Sequence, residues 1–187
     1  MIKIGITGSL ASGKSTASKI LSFKGPLFNA DVVVKQLYSK NSFKKILSKK
    51  FKIKNDKNQK SILKKKILKD VKVLNKLEKI IHPLVRLEMK KFTKNNNKYK
   101  LVFFEIPLLI ESKLMKQFDV IIFIKAKRKI RIKRFIQKGG DKRLFETLNN
   151  KQMSDIKKIK FCDHVVVNEK NKKILKVNLM DILRKYE

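Results

Sequence analysis

An α/β fold built on a parallel sheet is predicted by two features of this sequence. Compact apolar runs recur along it, and each is followed by a polar or glycine-bearing turn and then a helical pattern. The clearest runs are residues 2–7, 101–106 and 120–124. Weaker strands are expected at residues 27–29, closing on Asp31, and at residues 165–167, between His164 and Asn168. Together they make a five-stranded parallel central sheet.

Between the second and third strands, residues 32–97 carry no strand signal and repeat at helical spacing, which predicts an inserted helical lobe. Within it Leu74, Leu77, Ile80, Ile81, Leu84, Val85 and Met89 recur at threes and fours. They mark an amphipathic helix expected to be interrupted or kinked near Pro83 and ended by Asn95-Asn96-Asn97. The lysine-rich patches of residues 44–66 read as solvated helix faces. After the fourth strand, residues 128–138 predict a basic helix stopped by Gly139-Gly140, with a second short helix from Asp141 onward. That pair is placed to form a lid. The expected organisation is one domain with a core of residues 1–31, 98–127 and 153–187, a helical lobe of 32–97 and a lid of about 128–152.

Composition bounds the rest. A chain of 187 residues holds one sizeable core, and 42% hydrophobic residues exclude a disordered chain. The formal charge of +34 raises a nucleic-acid partner, yet only six of the 49 basic residues are Arg, and the lysines are scattered instead of gathered in one block. A field of this sign steers polyphosphates inward without any specific nucleic acid. Cys162 is the only cysteine, which excludes an intrachain disulfide and a thiol-lined metal site and fits the cytoplasm. No run approaches the ~20 apolar residues of a membrane span, so no membrane partner is expected.

The chemistry enters at Gly8-Ser9-Leu10-Ala11-Ser12-Gly13-Lys14-Ser15, which fits G-x-x-x-x-G-K-[ST] at every defined position. It follows the first predicted strand and opens a helix running through Thr16 to Leu21. Glycines let such a loop turn its N–H groups inward, where they and the helix dipole hold phosphate oxygens. Lys14 is placed to bridge the β- and γ-phosphates of ATP, and the Ser15 hydroxyl suits Mg²⁺. The same cradle serves GTPases, motor ATPases and metabolite kinases, so it leaves the acceptor open.

Three further segments follow in order: Phe28-Asn29-Ala30-Asp31, Ile81-His82-Pro83-Leu84-Val85 and Glu105-Ile106-Pro107-Leu108-Leu109-Ile110-Glu111. With the loop, and with Lys133-Arg134, Gln152 and residues 163–168, they resemble the dephospho-coenzyme A kinase family over nearly the whole chain. The resemblance implies a kinase of the nucleoside-monophosphate-kinase type that moves the ATP γ-phosphate to the ribose 3′-hydroxyl of dephospho-coenzyme A. It implies Asp31 as the base for that hydroxyl, with a helix N-cap as the alternative role. Asn29 departs from the pattern, standing where the family carries the first Asp of Asp-Ala-Asp. Glu105 stands for an Asp near Mg²⁺. His82, Pro83, Pro107, Leu108 and Glu111 are expected around the acceptor. Arg134 and Arg143 are expected as lid cations, against a solvated helix face shared by Arg128, Arg131 and Arg134. Asn168 is expected at the adenine. The partners implied are ATP, Mg²⁺ and dephospho-coenzyme A, acting on a monomer or weak homo-oligomer. The competing readings are a kinase of a nucleoside monophosphate or other small alcohol, and a basic nucleic-acid-binding ATPase.

Overall fold

The structure, a computed structural model, describes residues 1–54 and 56–187, the side chains of Leu68 and Val71 excepted. The chain divides into two compact units, one of residues 1–29 and 95–187, the other of residues 30–94.

The first unit is built on five parallel strands: β1 (Ile2–Gly8), β2 (Leu27–Asn29), β3 (Leu101–Glu105), β4 (Val120–Lys125) and β5 (His164–Val167). Their order in the sheet is β2-β3-β1-β4-β5. The most apolar runs occupy the centre, because a parallel strand packed on both faces must be apolar throughout. β3 is buried along its whole length, and β4 everywhere but at Lys125. Helices α1 (Lys14–Leu21) and α9 (Lys172–Leu183) close one core: Ala17, Ile20 and Leu21 of α1 meet Leu175, Leu179 and Leu183 of α9 over Ile4, Ile6, Phe103 and Ile122. The Asn171 side chain caps α9 by accepting from Ile174 N at 3.0 Å.

Three more helices of this unit follow β4: α6 (Arg128–Gln137), α7 (Lys142–Asn150) and α8 (Asp155–Ile159). α6 ends where Gly139 enters the left-handed region at φ 84, so that Gly140 N returns to Phe135 O at 3.1 Å. α7 begins at Asp141, whose carboxylate accepts from Leu144 N at 2.8 Å. The stop and the restart fall where the glycine pair and Asp141 predict them.

The second unit is helical throughout, with α2 (Ala30–Ser39), α3 (Asn41–Phe51), α4 (Gln59–Lys69) and most of α5 (Val71–Asn95). Its core gathers Leu37, Phe43, Leu47, Phe51, Ile53, Leu63 and Leu77, with Ile80, Ile81, Leu84 and Val85 packed against them. Two expectations are corrected here. α5 is not interrupted at Pro83 but runs on to Asn95. An interior proline costs about 3 kcal/mol, and the apolar stripe on both sides of it is seated on one core, which offsets that cost. α2 opens at Ala30 instead of Val32, so Asp31 stands inside the first turn and not at the N-cap. A carboxylate there still complements the helix dipole.

The strand order places the candidate site. From β1 the chain passes over to β2 and returns to β3 beside β1, then moves to β4 and β5 on the other side. Ligands of open α/β sheets gather outside the carboxyl ends of the strands at such a switch point. Gly8, Asn29 and Glu105 are the last residues of β1, β2 and β3.

Candidate active site

β1 delivers the loop of residues 8–15 to this end of the sheet. Gly8, Ala11 and Gly13 all have positive φ, at 151, 58 and 98, and Ser12 N closes the turn on Ser9 O at 3.2 Å. Gly13 meets a second demand, since a Cβ there would collide with the Asn168 side chain. Asn168 is held by its own N–H on Lys125 O at 2.8 Å, and its Nδ2 donates to Ser12 O at 2.8 Å. The residue expected at the adenine therefore underpins the loop itself. Lys14 begins α1 and curls over the loop, with Nζ donating to Gly8 O at 3.0 Å and Ser9 O at 2.9 Å. Thr16, exposed on α1, continues the helix beyond Ser15.

Two arginines of α6 reach the loop. Arg134 Nη1 donates to Ser12 O at 3.2 Å. Arg131 Nη1 donates to Leu10 O at 3.3 Å and to Asn149 Oδ1 at 2.8 Å, and its guanidinium lies 5.6 Å from the centre of the Phe145 ring. Burial pushes Arg131 below its ordinary pKa, with Arg128 adding to this while Asp155 and Glu146 oppose it. The three arginines expected on one solvated face thus part company. Arg128 is exposed and pairs with Glu146, whereas Arg131 is buried. Arg143 is exposed on α7.

The segment after α7 also grips the loop. Gln152 Oε1 accepts from Leu10 N at 3.1 Å, and Asp155 at the start of α8 accepts from the Ser9 hydroxyl. One residue on, Met153 N donates to Glu111 Oε1 at 3.2 Å, and Lys158 Nζ lies 2.7 Å from the same oxygen. Lys158 is wholly buried, so Glu111 neutralises a cation that water cannot reach. Of the other residues after β3, Pro107 O accepts from the Thr7 hydroxyl at 3.3 Å, and Leu108 is half-buried.

Ser15 and Glu105 are brought together as expected. The Ser15 hydroxyl donates to Glu105 Oε1 at 2.7 Å, and Asn29 Nδ2 donates to Oε2 at 2.6 Å. Glu105 is only 3% exposed. Among the described residues no three His, Cys, Asp or Glu side chains gather as a metal cage. A hydroxyl beside one carboxylate is an all-oxygen donor set that suits Mg²⁺, which keeps waters and substrate phosphates in its shell.

Two pockets flank the loop. One of about 290 Å³ touches Ala11, Gly13 and Thr16 and is lined on its other side by Arg134, Lys138, Asn168 and Lys170. The second, of about 490 Å³, is bounded by Ser9, Arg131, Asn149, Gln152 and Asp155. Asp31, His82 and Pro83 belong to the helical unit, Asp31 on α2 and the other two in the interior of α5.

Sequence reasoning did not single out Arg131, Asp155 or Lys158 for these roles. For Arg131 a signal existed in the i, i+3 spacing with Arg134, which places both on one face of α6. Asp155 and Lys158 meet partners far away in the sequence, which no local pattern reveals.

A glycine-rich loop leaving the central strand of a parallel sheet, with its serine on a strand-end carboxylate, defines a P-loop nucleotide-binding fold. The dephospho-CoA kinase family model matches residues 2–173, and the chain belongs to that family. It is 36% identical over 169 residues to the dephospho-CoA kinase of Bartonella henselae, covering 87% of each chain. Among solved structures it superposes on TT1252 from Thermus thermophilus with a TM-score of 0.86 at 25% identity, covering 100% of this chain and 98% of the other. It matches dephospho-CoA kinase from Campylobacter jejuni with a TM-score of 0.67 at 24% identity, covering 98% and 96%. No helix of the described residues is long and apolar enough to cross a membrane.

Proposed function

We propose that this protein transfers the γ-phosphoryl group of ATP to the ribose 3′-hydroxyl of dephospho-coenzyme A, giving coenzyme A and ADP in the cytoplasm. The observation that carries the reading is the loop with Ser15 against Glu105 at the carboxyl end of the sheet, in a chain of this family.

In the transfer, the acceptor oxygen bonds to the γ-phosphorus, the bond to the β,γ-bridging oxygen breaks, and the hydroxyl proton passes to the Asp31 carboxylate. The transition state is loose, so positioning and charge neutralisation supply most of the acceleration. The N–H groups of residues 8–16 and Lys14 hold the phosphates, Lys14 turning from its loop carbonyls to the β- and γ-oxygens. Arg134, which already touches the loop, and Arg143 bring guanidinium forks to the transferred group. The base of ATP takes the pocket beside Gly13 and Asn168. Asp31, His82, Pro83, Pro107, Leu108 and Glu111 receive the acceptor. Ser15 and Glu105 are the residues that would hold Mg²⁺, which when bound neutralises phosphate charge.

Incubation with ATP, Mg²⁺ and dephospho-coenzyme A is expected to yield coenzyme A, read by chromatography and mass. Asp31→Asn is expected to lower turnover about 10²–10⁴-fold while nucleotide binding survives. Full activity in that variant would remove the base role. Absence of coenzyme A, with a nucleoside monophosphate phosphorylated instead, would contradict the acceptor.

A further inference from the structure

Asn29 has no part in the chemistry assigned above, yet it is in direct contact with the metal-side carboxylate. It ends β2 and lies in register with Glu105 at the end of β3. Paired positions on adjacent parallel strands project to the same face of the sheet, about 4.8 Å apart. The contact is thus fixed by backbone geometry, and the Nδ2–Oε2 distance of 2.6 Å shows it made.

We propose that Asn29 is a positioning residue for the metal-bound nucleotide: its amide holds Oε2 of Glu105 so that Oε1 stays turned to Ser15. The inference rests on the P-loop kinase reading above. A glutamate has one more rotatable bond than an aspartate, so a strand-end Glu carboxylate needs a second anchor to keep one oxygen aimed. Ser15 supplies a donor to Oε1 at 2.7 Å, and Asn29 supplies the donor to Oε2. Both donors are neutral, so they orient the carboxylate without cancelling its charge. The Ser15–Glu105–Asn29 cluster therefore offers Mg²⁺ one negative charge in a buried setting, where a carboxylate left with an unmet oxygen is costly.

The test compares wild type, Asn29→Leu and Asn29→Asp. Affinity for a fluorescent ADP analogue is measured in EDTA and in Mg²⁺, and the Mg²⁺ concentration giving half-maximal turnover is measured beside it. Asn29→Leu removes the donor at similar volume. It is expected to keep the wild-type affinity in EDTA, lose the gain from Mg²⁺, and raise the half-maximal Mg²⁺ concentration about tenfold, the scale of one hydrogen bond to a charged group. Asn29→Asp also removes the donor and sets a like charge against Glu105, so it is expected to bind the analogue more weakly than wild type in EDTA. A purely structural role would lower thermal stability and weaken binding equally in both media. That result, or an unchanged Mg²⁺ gain in Asn29→Leu, overturns the proposal, as does Asn29→Asp binding the analogue as tightly as wild type in EDTA. Failure of the wild type to bind nucleotide would instead reject the kinase reading itself.

Discussion

Gly13 carries two constraints at once. Its φ of 98 lies in the left-handed region, and a Cβ would overlap the Asn168 side chain, which is itself pinned to Ser12 O and Lys125 O. Strain from positive φ alone is of the order of 1–2 kcal/mol, but a clash with a buried, doubly held amide forces the loop to move. Gly13→Ala is therefore expected to cut ATP affinity at least about tenfold with a smaller change in melting temperature. An unchanged affinity by calorimetric titration would show that the loop gives way without losing its cradle. At this scale the loop, Ser15 and Glu105 were legible because each has a defined place in a local motif or at a strand end. The role of Asn29 was not, since it reads only as a departure from a pattern until β2 and β3 are set side by side.

At the scale of elements, the segment between α7 and β5 is a strap. Gln152 and Asp155 meet the loop, while Met153 and Lys158 meet Glu111 after β3. One ion pair, its lysine wholly buried, thus fixes the stretch that contacts Ser9 and Leu10. Removing one member of a buried pair costs about 3–5 kcal/mol, whereas replacing both with apolar groups is often neutral. Glu111→Leu, which strands the buried Lys158 ammonium, is expected to lower unfolding stability by about that amount, Lys158→Met by less because Glu111 is part exposed, and the double variant to regain most of the Glu111→Leu loss. Additive losses in chemical denaturation would contradict the coupling. The three central strands were read nearly residue for residue, because a buried parallel strand leaves an apolar run that little else imitates, whereas β2 and β5, part exposed at the sheet's edges, give weaker signals. The long helix through Pro83 and its end at Asn95 were legible, but not its continuity, because local propensity argues for a break there while the core that overrides it appears only once Leu37, Phe43 and Leu77 are assembled. The partition of residues 30–69 into α2, α3 and α4 escaped the sequence for a similar reason, as evenly spread lysines blur every helix end.

For the whole molecule the net charge of +34 is the loudest feature of the sequence and the least informative about the fold. Its physical consequence is a positive field that attracts polyanions in general and weakens as salt rises. What the molecule does was decided instead by an eight-residue turn and a few separated segments whose order survives although the charge and much of the surface do not resemble any one pattern. Phosphate held at this turn is expected to pass to dephospho-coenzyme A in preference to other alcohols. The direct measurement is a competition in one vessel, with dephospho-coenzyme A and a panel of nucleoside monophosphates at equal concentration under limiting ATP and Mg²⁺. Dephospho-coenzyme A is expected to take nearly all the transferred phosphate and appear as coenzyme A; a nucleoside monophosphate of the panel taking most of that phosphate instead would contradict the preference.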